Sequence, residues 1–409
     1  MTELTVQVIQ AAVTGDAAAF RCRRRLQPAG GEGDKVFPPT FAGAIYAMEK
    51  RRVAGRNEPI ACVLLDSVQS QANRMEQALQ ESVDRGVIKL PLVEVDFSEH
   101  EPTGNVEADL EAGRLIDAIG KISSLQVPHR LADAILRDSE LDGQPFRRSE
   151  TGKALNTVSL ANATPLFELC PTALLFGMWD STGPKGGLGP KFERAVVSEI
   201  VGIGAEYHED YRARRRPPDP LEISRKVPVT RNEDKSLRKV AGDKEKGAVR
   251  PSEINHSSVP FESTHSGVTI EYGEQITTLS LIGLRRLRFP IDGVASEQVD
   301  RAARGVLTAL GLCAATLAFE SGVGLRSRSL LWPDGPMVWE LLERPGQEPR
   351  SFVLTGVQAV ALLKEAVAAA RDAGLNWNED PISLKPSKQL LELIRRSQNP
   401  RARRSGSVA

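Results

Sequence analysis

Ile60-Ala61-Cys62-Val63-Leu64-Leu65-Asp66-Ser67-Val68-Gln69-Ser70-Gln71-Ala72-Asn73-Arg74-Met75-Glu76 is the stretch on which the reading of this chain turns. Residues 60–65 form an unbroken apolar run of strand length, the pattern of a buried strand. Asp66 follows, with Gln69 three residues on, the spacing of a capping box at a helix start. Val68, Ala72, Met75, Leu79 and Val83 then recur at helical spacing and predict a core-facing stripe. Gln69, Asn73, Arg74, Gln77 and Gln80 take the other face. A strand that runs straight into a capped helix is one half of a βαβ unit.

On the N-terminal side, residues 21–40 read as a basic strand end followed by a Gly/Pro-rich loop. On the C-terminal side, residues 128–137 predict a helix with Pro128 in its first turn. Residues 172–180 predict a buried strand. The glycine-rich loop Ser181 to Lys191 comes next, then an amphipathic stretch from Phe192 to Val201 that reads as helix. Between about 206 and 250 the chain turns charged and proline-broken, with no hydrophobic period, and reads as an exposed insertion, mobile unless a partner orders it. Residues 268–289 alternate enough to suggest strands and end in the basic run Leu284 to Phe289. A long apolar helix is expected over 297–319, with Val306, Leu310, Leu317 and Phe319 inward. A strand is expected from Ser329 to Trp332, and a last helix from about Gly356 to Ala373, with Val360, Leu363 and Val367 on one face. The tail from Lys385 carries Lys388, Arg395, Arg396, Arg401, Arg403 and Arg404 against Glu392 alone. There is no internal repeat. This alternation predicts an α+β sheet domain with large insertions.

The chain has 409 residues, 41% of them apolar and 26% charged, which suits a packed domain rather than a disordered scaffold. Its formal net charge is zero, so nucleic-acid contact would have to come from a local basic surface. The four cysteines, Cys22, Cys62, Cys170 and Cys313, lie apart and in or near apolar runs. They read as buried free thiols of a reducing cytoplasm rather than zinc ligands. Met1 to Phe20 shows no charged-then-apolar signal pattern, and no apolar run approaches the ~20 residues that span a bilayer. The expectation is a cytoplasmic protein with no membrane partner, no metal and no cofactor.

The loop Ser181 to Lys191 has neither Walker spacing nor the dinucleotide G-x-G-x-x-G. Its backbone amides, with Lys185 and Lys191, suit a polynucleotide phosphate, and a plain flexible turn is the alternative. The loop Gln27 to Lys35 is similar, with one lysine. Arg326 and Arg328, on alternate residues at a strand start, suit successive phosphates or a solvated sheet edge. The five histidines, including His129 and His256, show no metal-ligand spacing. A His pair acting in RNA cleavage is the enzymatic alternative. Aromatic residues are 5% of the chain and show no base-stacking motif, so any RNA contact should be to phosphate and sugar.

Several long motifs, in order, resemble one CRISPR-associated family. They are Leu64 to Glu76, Leu26 to Gly31 with Lys35 to Thr40, Phe176-Gly177-Met178-Trp179-Asp180-Ser181-Thr182-Gly183, Pro251 to His256, and Leu284 to Pro290. The chain resembles the RAMP-superfamily backbone subunit of type I-G (formerly I-U) Cascade, in the Cas-seven group, from about residue 25 to 345. That resemblance implies a modified RRM/ferredoxin-like palm (the RAMP fold) with large finger and thumb insertions, formed by 1–205 and 251–385. The charged insertion 206–250 and a basic tail 386–409 fall outside it. It also implies a non-catalytic role in antiviral defence. Copies of the chain polymerise along crRNA beside other Cascade subunits, leaving bases free to pair with target DNA while a recruited helicase-nuclease cuts. Guide contacts are expected from Lys35, Gln71, Asn73, Arg74, Lys185, Lys191, Asn255, His256, Arg326 and Arg328. Cations would meet phosphates, and Gln71, Asn73 and Asn255 would meet sugar hydroxyls. For Gln71 and Asn73, helix-surface or interface packing is the alternative. A RAMP-type ribonuclease and a protein adaptor with little RNA contact are the other readings of the whole chain.

Overall fold

A computed structural model of the protein describes residues 3–42, 45–183, 186–206, 221, 223, 226–242, 245–256 and 267–398. Its main sheet has nine strands, numbered here in chain order: β1 (Ala19–Pro28), β2 (Met48–Arg51), β3 (Ile60–Asp66), β4 (Val196–Ile203), β5 (Tyr272–Ser280), β6 (Val323–Arg326), β7 (Ser329–Pro333), β8 (Val338–Leu342) and β9 (Arg350–Val353). Across the sheet the order is β6-β7-β1-β5-β4-β3-β2, with β8 pairing β1 beyond β7 and β9 pairing β8. All these pairings are antiparallel.

Four helices matter for the layers: α1 (Val6–Thr14), α2 (Val68–Asp84), α3 (Glu297–Phe319) and α4 (Gly356–Asp372). The helix predicted over 297–319 forms over those residues, and every side chain from Ala302 to Thr316 is buried. α1, α2 and α4 pack around it. At Gly311 a Cβ would lie 3.1 Å from Val196 and 3.3 Å from Leu279, so the missing side chain lets α3 sit close on β4 and β5. By length and composition α3 is apolar enough to cross a membrane, contrary to the expectation that no such run exists; 89% of that window is buried in the protein. Along β1, Phe20, Cys22, Arg24 and Leu26 are buried toward the helices, while Arg21, Arg23 and Arg25 alternate onto the opposite face of the sheet.

A second sheet joins Val93–Asp96, Lys121–Ser123, Ser139–Leu141 and Gln144–Pro145 to Ile382–Pro386 from near the C-terminus. Ile382–Pro386 lies parallel to Val93–Asp96. The stretch read as a basic tail therefore begins as a strand and continues as the helix Lys388–Gln398, with Leu390 buried. Arg401, Arg403 and Arg404 lie outside the described residues. So does much of the charged insertion; within it, Val229–Arg231 and Leu237–Val240 form a hairpin.

Several local expectations are corrected. Ser67, not Asp66, caps α2, its hydroxyl accepting from the Ser70 amide at 3.3 Å. Residues 128–137 are not one helix, because Arg130 takes φ +51° and the chain restarts as Ala134–Arg137, capped by Asp133. Residues 172–180 are a short helix, Thr172–Phe176, that stops at Gly177, where φ is +83°. The stretch read as helix after Phe192 is β4, whose β-branched Val196, Val197, Ile200, Val201 and Ile203 suit its pairing with β5. The first two residues of the basic run, Leu284 and Arg285, close the helix Leu281–Arg285, capped by Ser280.

Candidate nucleic-acid interface

A cleft of about 680 Å³ opens beside the start of β4. Its walls come from three separate parts of the chain: the first turn of α2 at Gln69, the turn at His129, and the segment from Phe176 to Arg194. Met178–Trp179 pairs antiparallel with Lys191–Phe192, so the glycine-rich loop is the tip of a hairpin. It does not lead into a helix N-terminus, which removes the helix-dipole contribution to phosphate binding that the sequence suggested. Trp179 and Lys191 are cross-strand partners, and the Lys191 ammonium lies 5.5 Å from the centre of the indole ring. Trp179 is 52% exposed, high for an indole.

The hairpin is held at its base. The Asp180 amide donates to the Pro190 carbonyl at 3.0 Å, and the buried Asp180 carboxylate pairs with Arg147. Any side chain at Gly189 would strike the Asp180 carbonyl, since a Cβ there would lie 1.9 Å from it. Beneath the cleft, Arg130 makes a bidentate pair with Glu76 at 2.6 and 2.7 Å and donates to the Gly177 carbonyl at 2.9 Å. Both side chains are buried. Burial pushes the Glu76 carboxyl up to about 7, against the opposing pull of Arg130. One ion pair thus joins α2, the turn at 130 and the start of the hairpin. The exposed rim offers His129, Lys191 and Arg194 beside Trp179. A flat aromatic face beside cations can stack a base and neutralise its phosphate.

Three expected contact residues are engaged within the protein, Gln71 buried and Arg74 and Arg326 partly exposed. Gln71 is fully buried, donating to Asp66 at 2.6 Å and accepting from Ser198 and Gln275, each at 2.9 Å. Arg74 donates to Asp66 at 2.9 Å and to the carbonyls of Gly324 and Leu325, each at 2.9 Å. Arg326 donates to the carbonyls of Phe37 at 2.9 Å and Leu65 at 3.2 Å. These bonds tie α2, β3 and β6 together, while the Arg74 and Arg326 side chains stay partly exposed. Arg328 does not alternate with Arg326 along a strand. It sits in the turn between β6 and β7 with φ +58°, stacked 4.5 Å from the Phe37 ring centre. That places it in the same corner as Lys35, which is half-buried.

Asn73 is exposed on the outer face of α2. Asn255 ends the short turn Pro251–Ile254 in a left-handed conformation, and the His256 amide donates to the Pro251 carbonyl at 2.9 Å. Neither Asn255 nor His256 lines the cleft. Lys185 lies outside the described residues. Of the ten expected residues, Lys191 alone is placed at the cleft wall among those described. Sequence reasoning took none of Trp179, His129, Arg194 and Gln69 as contacts. The signal for Trp179 was a tryptophan two residues after a glycine, in a motif already singled out.

All four cysteines are buried free thiols, and burial pushes those of Cys22 and Cys313 up to about 12. Among the described residues no group of three His, Cys, Asp or Glu side chains could hold a metal ion.

Residues 20–207, from β1 through β4 and including the whole cleft, match the family described as CRISPR-associated protein GSU0053 (Cas_GSU0053). By that match, this part of the chain is similar to a CRISPR-associated protein family. No curated protein matches the chain.

Proposed function

We propose, with a CRISPR-associated chain as the premise, that this protein is a non-catalytic guide-RNA-binding backbone subunit of a type I-G surveillance complex. Copies of it line the crRNA in the cytoplasm beside other Cascade subunits. The guide's bases stay free to pair with target DNA, which a recruited helicase-nuclease cuts. Strand order supports an RRM-like palm: in chain order, β1, β4, β5 and β7 lie 4-1-3-2 across the sheet, with α2 before β4 and α3 before β7. That is the split βαβ arrangement. The observation that carries the reading is the buttressed hairpin that presents Trp179 beside Lys191 at the mouth of the cleft.

Such a site holds a polynucleotide by stacking and charge, without inspecting base edges. The test is purification with and without a co-expressed guide. Protein that carries RNA in assemblies larger than one chain, with affinity falling steeply as salt rises, is the expected result. A monomer with no affinity for RNA at low salt overturns the proposal, as does RNA cleavage in magnesium abolished by a single substitution at His129.

A further inference from the structure

The sheet face turned away from the helices carries a row of side chains that the cleft does not use. Arg21, Arg23 and Arg25 project from β1, Glu274 and Tyr272 from β5, and Glu340 from β8. Most of these charges cancel locally. Arg21 pairs with Glu340 at 2.8 Å, Arg23 with Glu274 at 2.7 Å, and Arg51 with Glu199 at 3.0 Å. Arg25 and Arg52 have no carboxylate partner among the described residues. Both line a depression of about 370 Å³ floored by Tyr272 and Ile203. The Arg25 guanidinium lies 4.0 Å from the centre of the Tyr272 ring, a stacked cation.

One strand over, Trp332 of β7 is the register partner of Gln27, two residues along β1 from Arg25 and so on the same face. Trp332 is 59% exposed. Adjacent strands lie about 4.8 Å apart, so the indole and the Arg25–Tyr272 stack are near neighbours.

We infer that Trp332, Arg25, Tyr272 and Arg52 form a second contact track for a single-stranded polynucleotide, on the open sheet face and separate from the Trp179 cleft. An exposed indole and a guanidinium-capped phenol offer two stacking surfaces. Two cations outside the ion pairs, Arg52 and Arg25 (the latter opposite Glu274 in register), lie where the linking phosphates would pass. An acidic peptide would be held by the same cations but gains nothing from the indole, and this decides between the occupants.

The experiment uses the full chain stripped of nucleic acid in high salt. Labelled eight-nucleotide oligo(U) and oligo(dT) are titrated by fluorescence anisotropy, and photo-crosslinked thio-substituted oligonucleotide is mapped by mass spectrometry. In a Trp179→Ala background, binding should persist and cross-link to the peptides containing Trp332 or Tyr272. In that background the double change Arg25→Ala with Arg52→Ala should weaken binding about tenfold or more, as should Trp332→Ala. Trp332→Phe, which keeps a stacking face, should stay within about twofold. Comparable affinity for oligo(U) and oligo(dT) marks a track indifferent to the 2′-hydroxyl; a preference for one names the strand it takes.

The inference is overturned if Trp179→Ala removes all binding, or if the Arg25/Arg52 and Trp332→Ala variants bind as before. Equal competition by a polyglutamate peptide also overturns it. Guide RNA still co-purifying with the Arg25/Arg52 variant would leave the cleft's role standing on its own, so the two readings fail separately.

Discussion

Asp66 shows how much one residue decides. Its carboxylate is 1% exposed and accepts from Gln71 and Arg74, with the Arg326 guanidinium 3.9 Å away. Asp66→Ala removes the shared acceptor and leaves partly buried cations uncompensated. It should lower stability by about 3 kcal/mol in denaturant unfolding, with little direct effect on RNA affinity at temperatures where the variant is folded. Trp179→Ala should do the reverse, weakening oligonucleotide binding by about 1–3 kcal/mol while leaving the unfolding midpoint nearly unchanged. Lys191→Ala should reduce the slope of log affinity against log salt by about 0.7, one phosphate contact to a single strand, checked by titration at several salt concentrations. The contrast explains where the sequence misleads. Gln71, Arg74 and Arg326 are residue types that bind RNA, and in a sequence they look alike whether they meet solvent or a buried carboxylate. Asp66, read as a cap, is the group that turns them inward, and only the packing of α2 on β4 reveals it.

Among elements, the long helix was legible because its apolar run has no competing reading, and β3 with α2 because strand length passes directly into helical period. The segment from 172 to 203 was misread because short apolar runs lack a decisive period. Gly177, with its positive φ, and the valines of β4 carry the real instruction. Close packing at Gly311 predicts that Gly311→Val overpacks the α3–sheet contact and costs about 1–3 kcal/mol, seen as a lowered melting temperature. The Glu76–Arg130 pair gives a pH signature. Glu76 is raised from 4.5 to about 7, so between those values the folded protein holds a proton the unfolded chain has released. Its contribution is fully present below about pH 4.5 and is lost as pH rises through about 7. Arg130→Met leaves that carboxyl without its partner. The variant should lose about 3–5 kcal/mol at pH 8 and visibly less at pH 5, where Glu76 is protonated, as pH-dependent urea unfolding would show.

At the scale of the whole molecule, an evenly balanced composition hides an uneven surface. The 53 basic and 53 acidic side chains balance over the whole chain, yet Lys191 and Arg194 meet at the cleft and Arg25 and Arg52 at the sheet-face depression. The mixed sheet architecture was readable from alternating patterns. The second sheet was not, because its closing strand, Ile382–Pro386, is far along the chain from its partner Val93–Asp96. That separation has a consequence for synthesis. A nascent chain emerging from the ribosome displays Val93–Asp96 with one edge bare until Ile382–Pro386 has been made. A stop codon just before Ile382 should therefore yield a product that proteases or chaperones seize, even though every residue of the cleft has already been made.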